Sequence, residues 1–296
     1  MKNITLGFSP CPNDTFIFDA LVNKKIDTGD LDFNIVLEDV ETLNEMALKN
    51  SLDVTKISYG VLPLVLKDYI LLNSGGALGT GVGPLLISKY DTPIDDIHHC
   101  TIAIPGEYTT AHMLFALAFP NARNKIFLRY NEIEDYVLNS PSQETSNMEN
   151  QHTGAVDPKM LRLGVIIHEN RFTYHLKGLK KISDLGEFWE SETGYPIPLG
   201  GIVAKRTLDT GLQRTMDDLI KQSIQYAFSN YPYLPEFVKN NSQEMEETVM
   251  RKHIDLYVND FSVQLGDDGK NAVREFLQIY ESINPLYKKT VNEIFV

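Results

Sequence analysis

Asn3-Ile4-Thr5-Leu6-Gly7-Phe8-Ser9-Pro10-Cys11-Pro12-Asn13-Asp14-Thr15-Phe16-Ile17-Phe18 is the stretch from which the architecture can be read. Asn3–Phe8 is a short apolar strand pattern. Thr15–Asn23 follows as a helix, with Asn13 or Asp14 placed to cap its start. Leu31, Phe33, Ile35 and Leu37 then alternate with polar residues, as in a half-buried strand. Thr42-Leu43-Asn44-Glu45 has the form of a capping box, and Leu43, Met46 and Ala47 continue it at helical spacing. Asp53–Ser58 and Pro84–Ser88 add strands. This alternation predicts an α/β fold with a mostly parallel sheet.

The pattern restarts near Pro93. Thr101–Ile104, Ile126–Tyr130 and Leu163–Ile167 read as strands, and Thr109–Phe119 as an apolar helix. Asn139–Lys159 is polar and reads as a surface loop. From Leu208 onward the chain is mainly helical. Met216, Ile220 and Ile224 form one row, and Val273, Phe276, Leu277 and Tyr280 form another, both suited to packing onto the first unit. No fixed-period repeat is present. With 296 residues, two domains are expected.

The formal net charge of −13 argues against nucleic acid or an anionic membrane as partner. It leaves room for a small anionic substrate held by a few local donors. The N-terminal apolar run is too short for a signal peptide, and no run approaches the ~20 residues of a spanning helix. A cytoplasmic protein is therefore expected. Cys11 and Cys100 are too few for a disulfide scaffold and lack zinc-type spacing. The histidines outside the strand ends show no paired spacing either, so no metal site is expected.

Five segments could carry chemistry. The loop holding Ser9, Asn13 and Asp14 follows a strand, where open α/β sheets place ligands; it could equally be a rigid, proline-fixed turn. Lys56 and Ser58 flank Ile57 on one face of a strand and would suit a carboxylate; a solvated edge is the plainer reading. Ser74–Pro84 is rich in glycine but fits neither a dinucleotide fingerprint nor a P-loop, leaving a ligand approach or a flexible crossover. Thr109 and Thr110 open a helix, as anion donors or as plain caps. His168 ends an apolar strand beside Glu169 and Arg171. It is a candidate general base or a satisfied structural histidine.

Taken in order, these segments resemble the 1,4-dihydroxy-6-naphthoate synthases of the futalosine route to menaquinone (vitamin K2). The resemblance is carried by Gly7–Phe18, Leu37–Asn44, Thr55–Tyr59, Ser74–Gly79 with Gly81–Pro84, Thr109–Ala111, Ile166–Glu169 with Arg171–Tyr174, and Asp184–Gly186 with Pro196–Gly200. One departure is Asn139–Lys159, which looks like an insertion ahead of the histidine strand. The resemblance implies a two-domain type 2 periplasmic-binding-protein-like fold with an interdomain cleft. Residues 1–91 with 200–296 would form one domain, and 92–199 the other, carrying the polar loop at 139–159.

It further implies a lyase that converts cyclic dehypoxanthinyl futalosine to 1,4-dihydroxy-6-naphthoate without cofactor or metal. His168 would be the catalytic base. Lys56, Ile57, Ser58, Thr109 and Thr110 would bind substrate, with Ser9, Asn13, Asp14 and Arg171 as further cleft candidates. Closure would bring His168 of one lobe to Lys56 and Ser58 of the other. Oligomeric state is open, a homodimer included. Two alternatives share the fold: a non-catalytic binder of small carboxylates, and the sibling chorismate dehydratase.

Overall fold

The computed structural model describes residues 2–141, 161–242, 246–285, 287, 291 and 293–296. Most of the polar loop expected at 139–159 lies outside these residues. In chain order the strands are β1 (Lys2–Phe8), β2 (Leu31–Leu37), β3 (Val54–Ser58), β4 (Tyr69–Leu71) and β5 (Ala77–Gly79). They continue as β6 (Leu85–Ser88), β7 (Thr101–Ile104), β8 (Lys125–Phe127), β9 (Arg162–Ile166), β10 (Lys180–Asp184) and β11 (Ile197–Lys205). The chain divides into two compact units: 1–82 with 108–110 and 193–296, and 83–107 with 111–192.

In the first unit the sheet order is β2-β1-β3-β11-β4, and β5 also pairs with β11. β1 runs parallel to β2 and β3, whereas β11 is antiparallel to β3, β4 and β5. The sheet is thus mixed rather than mostly parallel. β11 joins this sheet only after the chain has passed through the second unit.

The helix Pro12–Val22 is buried from Pro12 through Leu21 and packs against the helices Thr210–Asn230, Glu236–Asn241 and Glu247–Tyr257. Its core partners include Phe8, stacked on Phe18 at 4.4 Å between ring centres. Such a pair adds roughly 0.5–1.5 kcal/mol beyond its buried area. Ser223 ties the helix further, its Oγ donating to the Ile17 carbonyl at 2.6 Å and accepting from the Leu21 amide at 3.1 Å.

Two expected caps differ. Cys11, not Asn13 or Asp14, is the N-cap of the first helix, because Pro12 supplies a first helical residue that needs no donor. Asp39 caps the helix Val40–Leu48, accepting from the amides of Glu41 and Thr42. The capping box expected at Thr42 begins one turn too late.

The second unit holds the sheet β10-β6-β9-β7-β8, with β9 at its centre. β9 is parallel to β7 and antiparallel to β6, so this sheet is mixed too. β6 had been expected in the first domain. Its ladders to β9 and β10 place it here, and the units change over at 82/83 and 192/193 instead of 91/92 and 199/200. The helix Ile133–Leu138 lies flat on β9 at Gly164. A Cβ there would come within 2.4 Å of Ile133 and 2.8 Å of Val137. Leu85, Ile87, Ala103, Ile133, Val137 and Ile166 make the surrounding core.

Candidate active site

In the first unit the polar residues of the Ser9–Asp14 loop meet β3. Lys56 Nζ lies 2.8 Å from Asp14 Oδ1, with side chains only 5% and 3% exposed. The ammonium also donates to the Gly75 carbonyl at 3.0 Å. Gly75 holds that carbonyl in place with φ +81°, and a Cβ there would come within 2.0 Å of Ile202. The second carboxylate oxygen of Asp14 accepts from the Ser9 hydroxyl at 2.8 Å and its amide at 3.3 Å. Asn13 Nδ2 donates to Asp14 Oδ1 at 2.9 Å.

A buried cation would be prohibitive unpaired, so this carboxylate is what lets Lys56 sit in the fold charged. The pair has no net charge, but Lys56 has three donors and uses two within the described residues. One N–H therefore remains to offer a ligand oxygen.

Ser58 sits two residues on, on the same face as Lys56. Its Oγ accepts from the Thr110 amide at 3.3 Å, and its hydroxyl proton is not spent on a described acceptor. Its own amide donates to Asn44 Oδ1 at 2.9 Å. Ile57, between them, is fully buried on the opposite face, so its side chain supports the strand. Thr110 is stitched in on two sides: its hydroxyl donates to the Leu199 carbonyl at 2.8 Å and accepts from the Gly60 amide at 3.1 Å. A Cβ on Gly60 would meet the Thr109 carbonyl carbon and oxygen at 2.5 Å, so only glycine lets these two backbones pass. Thr109 itself is 3% exposed.

In the second unit His168 stands just beyond the end of β9, half-buried, with φ +56°. Two other described non-glycine residues share that left-handed region, Lys24 and Asn50. Both directly follow helix C-caps, where left-handed backbone is routine. His168 follows a strand instead. Its conformation turns β9 sharply into the helix Asn170–Thr173, whose first turn closes with the Arg171 amide donating to the His168 carbonyl at 3.3 Å. Strain of this kind persists where the surroundings over-determine it, and functional sites collect such positions. The Tyr130 ring meets the imidazole edge-on at 4.9 Å.

Arg171 is committed nearby. Its guanidinium lies 2.9 Å from Asp184 Oδ2 and also donates to the Gly83 carbonyl. Asp184 Oδ1 meanwhile caps the helix Leu185–Thr193 through the amides of Gly186 and Glu187. Arg171 therefore braces the His168 turn within its own unit. Glu169 is 6% exposed at the same turn.

Elsewhere, burial pushes the Cys100 thiol up to about 11, with Asp96 adding to it, so it stays protonated. His112 donates from Nδ1 to the Glu107 carbonyl at 2.7 Å and faces Lys125 Nζ at 3.1 Å through Nε2. Burial lowers its pKa. Among the described residues of either unit taken alone, no three His, Cys, Asp or Glu side chains gather closely enough to share a metal ion.

A family model described as menaquinone biosynthesis matches residues 4–282. The chain belongs to the menaquinone biosynthesis family. Within it, a Thermus thermophilus relative named 1,4-dihydroxy-6-naphthoate synthase is 40% identical over 273 residues, covering 92% of each chain. One of the same name from Streptomyces coelicolor is 38% identical over 279 residues, covering 93% of this chain and 91% of its own. A solved Archaeoglobus fulgidus protein superposes with a TM-score of 0.83 at 27% identity, covering 96% of this chain and 98% of that one. The periplasmic aliphatic sulphonate-binding protein of Escherichia coli gives 0.62 at 10% identity over 98% and 90%. That likeness shows the periplasmic-binding-protein-like fold alone. No helix among the described residues is long and apolar enough to cross a membrane.

Two residues of this candidate constellation escaped the sequence reading. Asn44, fully buried, fixes Ser58 through Oδ1, while its Nδ2 donates to Glu41 and to the Tyr108 carbonyl. Glu41 accepts from the Tyr108 amide at 3.0 Å. Polar residues three apart on an otherwise packed helix face were the available signal. The other is His253, fully buried, whose Nε2 lies 3.0 Å from Asn13 Oδ1.

Proposed function

We propose that this chain converts cyclic dehypoxanthinyl futalosine to 1,4-dihydroxy-6-naphthoate in the cytoplasm. The observation that carries the reading is His168: a left-handed histidine at the end of a central strand, in a family whose relatives bear that enzyme name. In this reading the imidazole takes a proton from a substrate hydroxyl or acidic C–H. The electron pair left behind becomes a new π bond, the carbon–carbon bond breaks with its pair leaving on the sugar-derived fragment, and the imidazolium returns its proton to that fragment. Aromatisation of the second ring makes the step downhill.

Lys56 and Ser58 each contribute one hydrogen to hold the substrate's oxygens, and the Thr110 amide positions the Ser58 hydroxyl. Because Lys56 is already neutralised by Asp14, it acts as a directional donor more than as a charge. Ser9, Asn13 and Asp14 support Lys56, and Arg171 supports the His168 turn.

The test is turnover. Purified protein is offered cyclic dehypoxanthinyl futalosine and, separately, chorismate, and 1,4-dihydroxy-6-naphthoate is followed by mass. Formation of the naphthoate from the first substrate, lost in His168→Asn, is the expected result. Activity on chorismate alone, binding of either without turnover, or a fully active, folded His168→Asn would each overturn the reading.

A further inference from the structure

His253 lies on the helix Glu247–Tyr257, 240 positions along the chain from Asn13, and is wholly buried. Its hydrogen bond is oriented by what lies beyond it. Asp14 is a carboxylate with both oxygens accepting, so Asn13 must turn its NH2 toward Asp14 Oδ1. That leaves the Asn13 carbonyl oxygen facing His253, and Nε2 must carry the proton donated to it. The direction of every bond is then set from one end: His253 Nε2–H to Asn13, Asn13 N–H to Asp14, and Lys56 N–H to Asp14. The Tyr257 ring, 4.7 Å from the imidazole, packs beside it one turn along the same helix.

We propose that His253 is a positioning residue for the reaction. By fixing the amide of Asn13 it fixes the Asp14 carboxylate, and hence the direction in which the remaining N–H of Lys56 points. This rests on the reading of Lys56 as a substrate donor. A purely structural histidine would have no reason to show itself in substrate affinity. A positioning residue shows there first, because Lys56 would bind ground state and transition state alike.

The experiment uses the full chain. His253→Phe keeps the ring and removes the donor; His253→Gln keeps an N–H donor. His253→Leu replaces the Phe variant if that one does not fold. KM and kcat for cyclic dehypoxanthinyl futalosine are measured, and the Lys56 ammonium is observed by 1H–15N NMR, where buried, slowly exchanging lysine protons give a signal. In His253→Phe the expected KM rises about tenfold, the worth of one hydrogen bond to a charged group, with kcat within about twofold. The Lys56 signal shifts or broadens, and His253→Gln restores both. An unchanged KM and Lys56 signal in a folded Phe variant, or a Gln variant that behaves like Phe, overturns the proposal. If wild-type protein does not turn over this substrate, the functional reading fails on its own, and the ammonium signal still decides whether His253 orients Lys56.

Discussion

Lys56 Nζ stands 2.8 Å from Asp14 Oδ1, and neither side chain is more than 5% exposed. The two residues come from different elements, the middle of β3 and the first turn of a helix, and each satisfies what the other could not bury alone. Breaking such a pair leaves an uncompensated charge in the interior. Asp14→Asn or Lys56→Met alone should cost about 3–5 kcal/mol of unfolding free energy. The double variant should cost well below the sum, and urea titrations of all four proteins give the coupling directly.

His168 carries two separable properties, its backbone and its ring. At φ +56°, alanine should lose about 1–2 kcal/mol relative to glycine. Asparagine, which tolerates this region, should hold stability close to wild type. All three substitutions should lower kcat by about 10²–10⁴-fold, the range for losing a general base. A ranking of thermal midpoints Gly above Ala, with activity equally poor in both, is the outcome that separates strain from chemistry.

Gly60→Ala tests the close passage of two backbones. Its new Cβ would meet the Thr109 carbonyl at 2.5 Å and the Thr110 amide nitrogen at 2.7 Å, neither of which is a side chain able to swing away. Overpacking of this kind costs about 1–3 kcal/mol. The Thr110 amide that caps Ser58 Oγ must also shift, so KM should rise together with the loss of stability. A variant that loses stability while keeping KM would place the contact outside the substrate's reach.

The pH dependence of stability should carry a signature of His112. Burial, with Lys125 adding to it, lowers its folded pKa below the ordinary value of 6.5, against the Glu107 carbonyl that favours the charged form. The unfolded chain thus binds a proton that the folded chain resists, in the window just below 6.5. The contribution is full above 6.5 and is lost as pH falls through the folded pKa. Urea midpoints measured from pH 7.5 down to 5 should therefore fall less steeply for His112→Gln than for wild type.

Most strands were legible because their signals are local. Alternation placed β1 and β2, and apolar runs placed β7 and β9, to within a residue or two. What failed was information held at a distance. β6 reads as a strand in its own sequence, but nothing in Leu85–Ser88 says that its partners are β9 and β10. Asn13 and Asp14 have the chemistry of helix caps, and only residues 42 to 240 positions away turn them into a buried network. His253 interrupts an apolar row of Met250, Ile254 and Tyr257, which hints at a buried donor without naming its acceptor. The ring of His168 could be picked out from its place after an apolar strand. Its left-handed backbone could not, since the same turn is open to many residues locally.

The pairing of Lys56 with Asp14 also sets the range over which the site can be felt. A lone ammonium would project its field about as far as the 8 Å Debye length of physiological salt. A contact pair is a small dipole, and its influence fades almost at once. On a chain carrying −13 overall, nothing at Lys56 beckons an anion from a distance. On the proposed reading, a substrate is selected here by touch, by the fit of its oxygens to the hydrogens that Lys56 and Ser58 present.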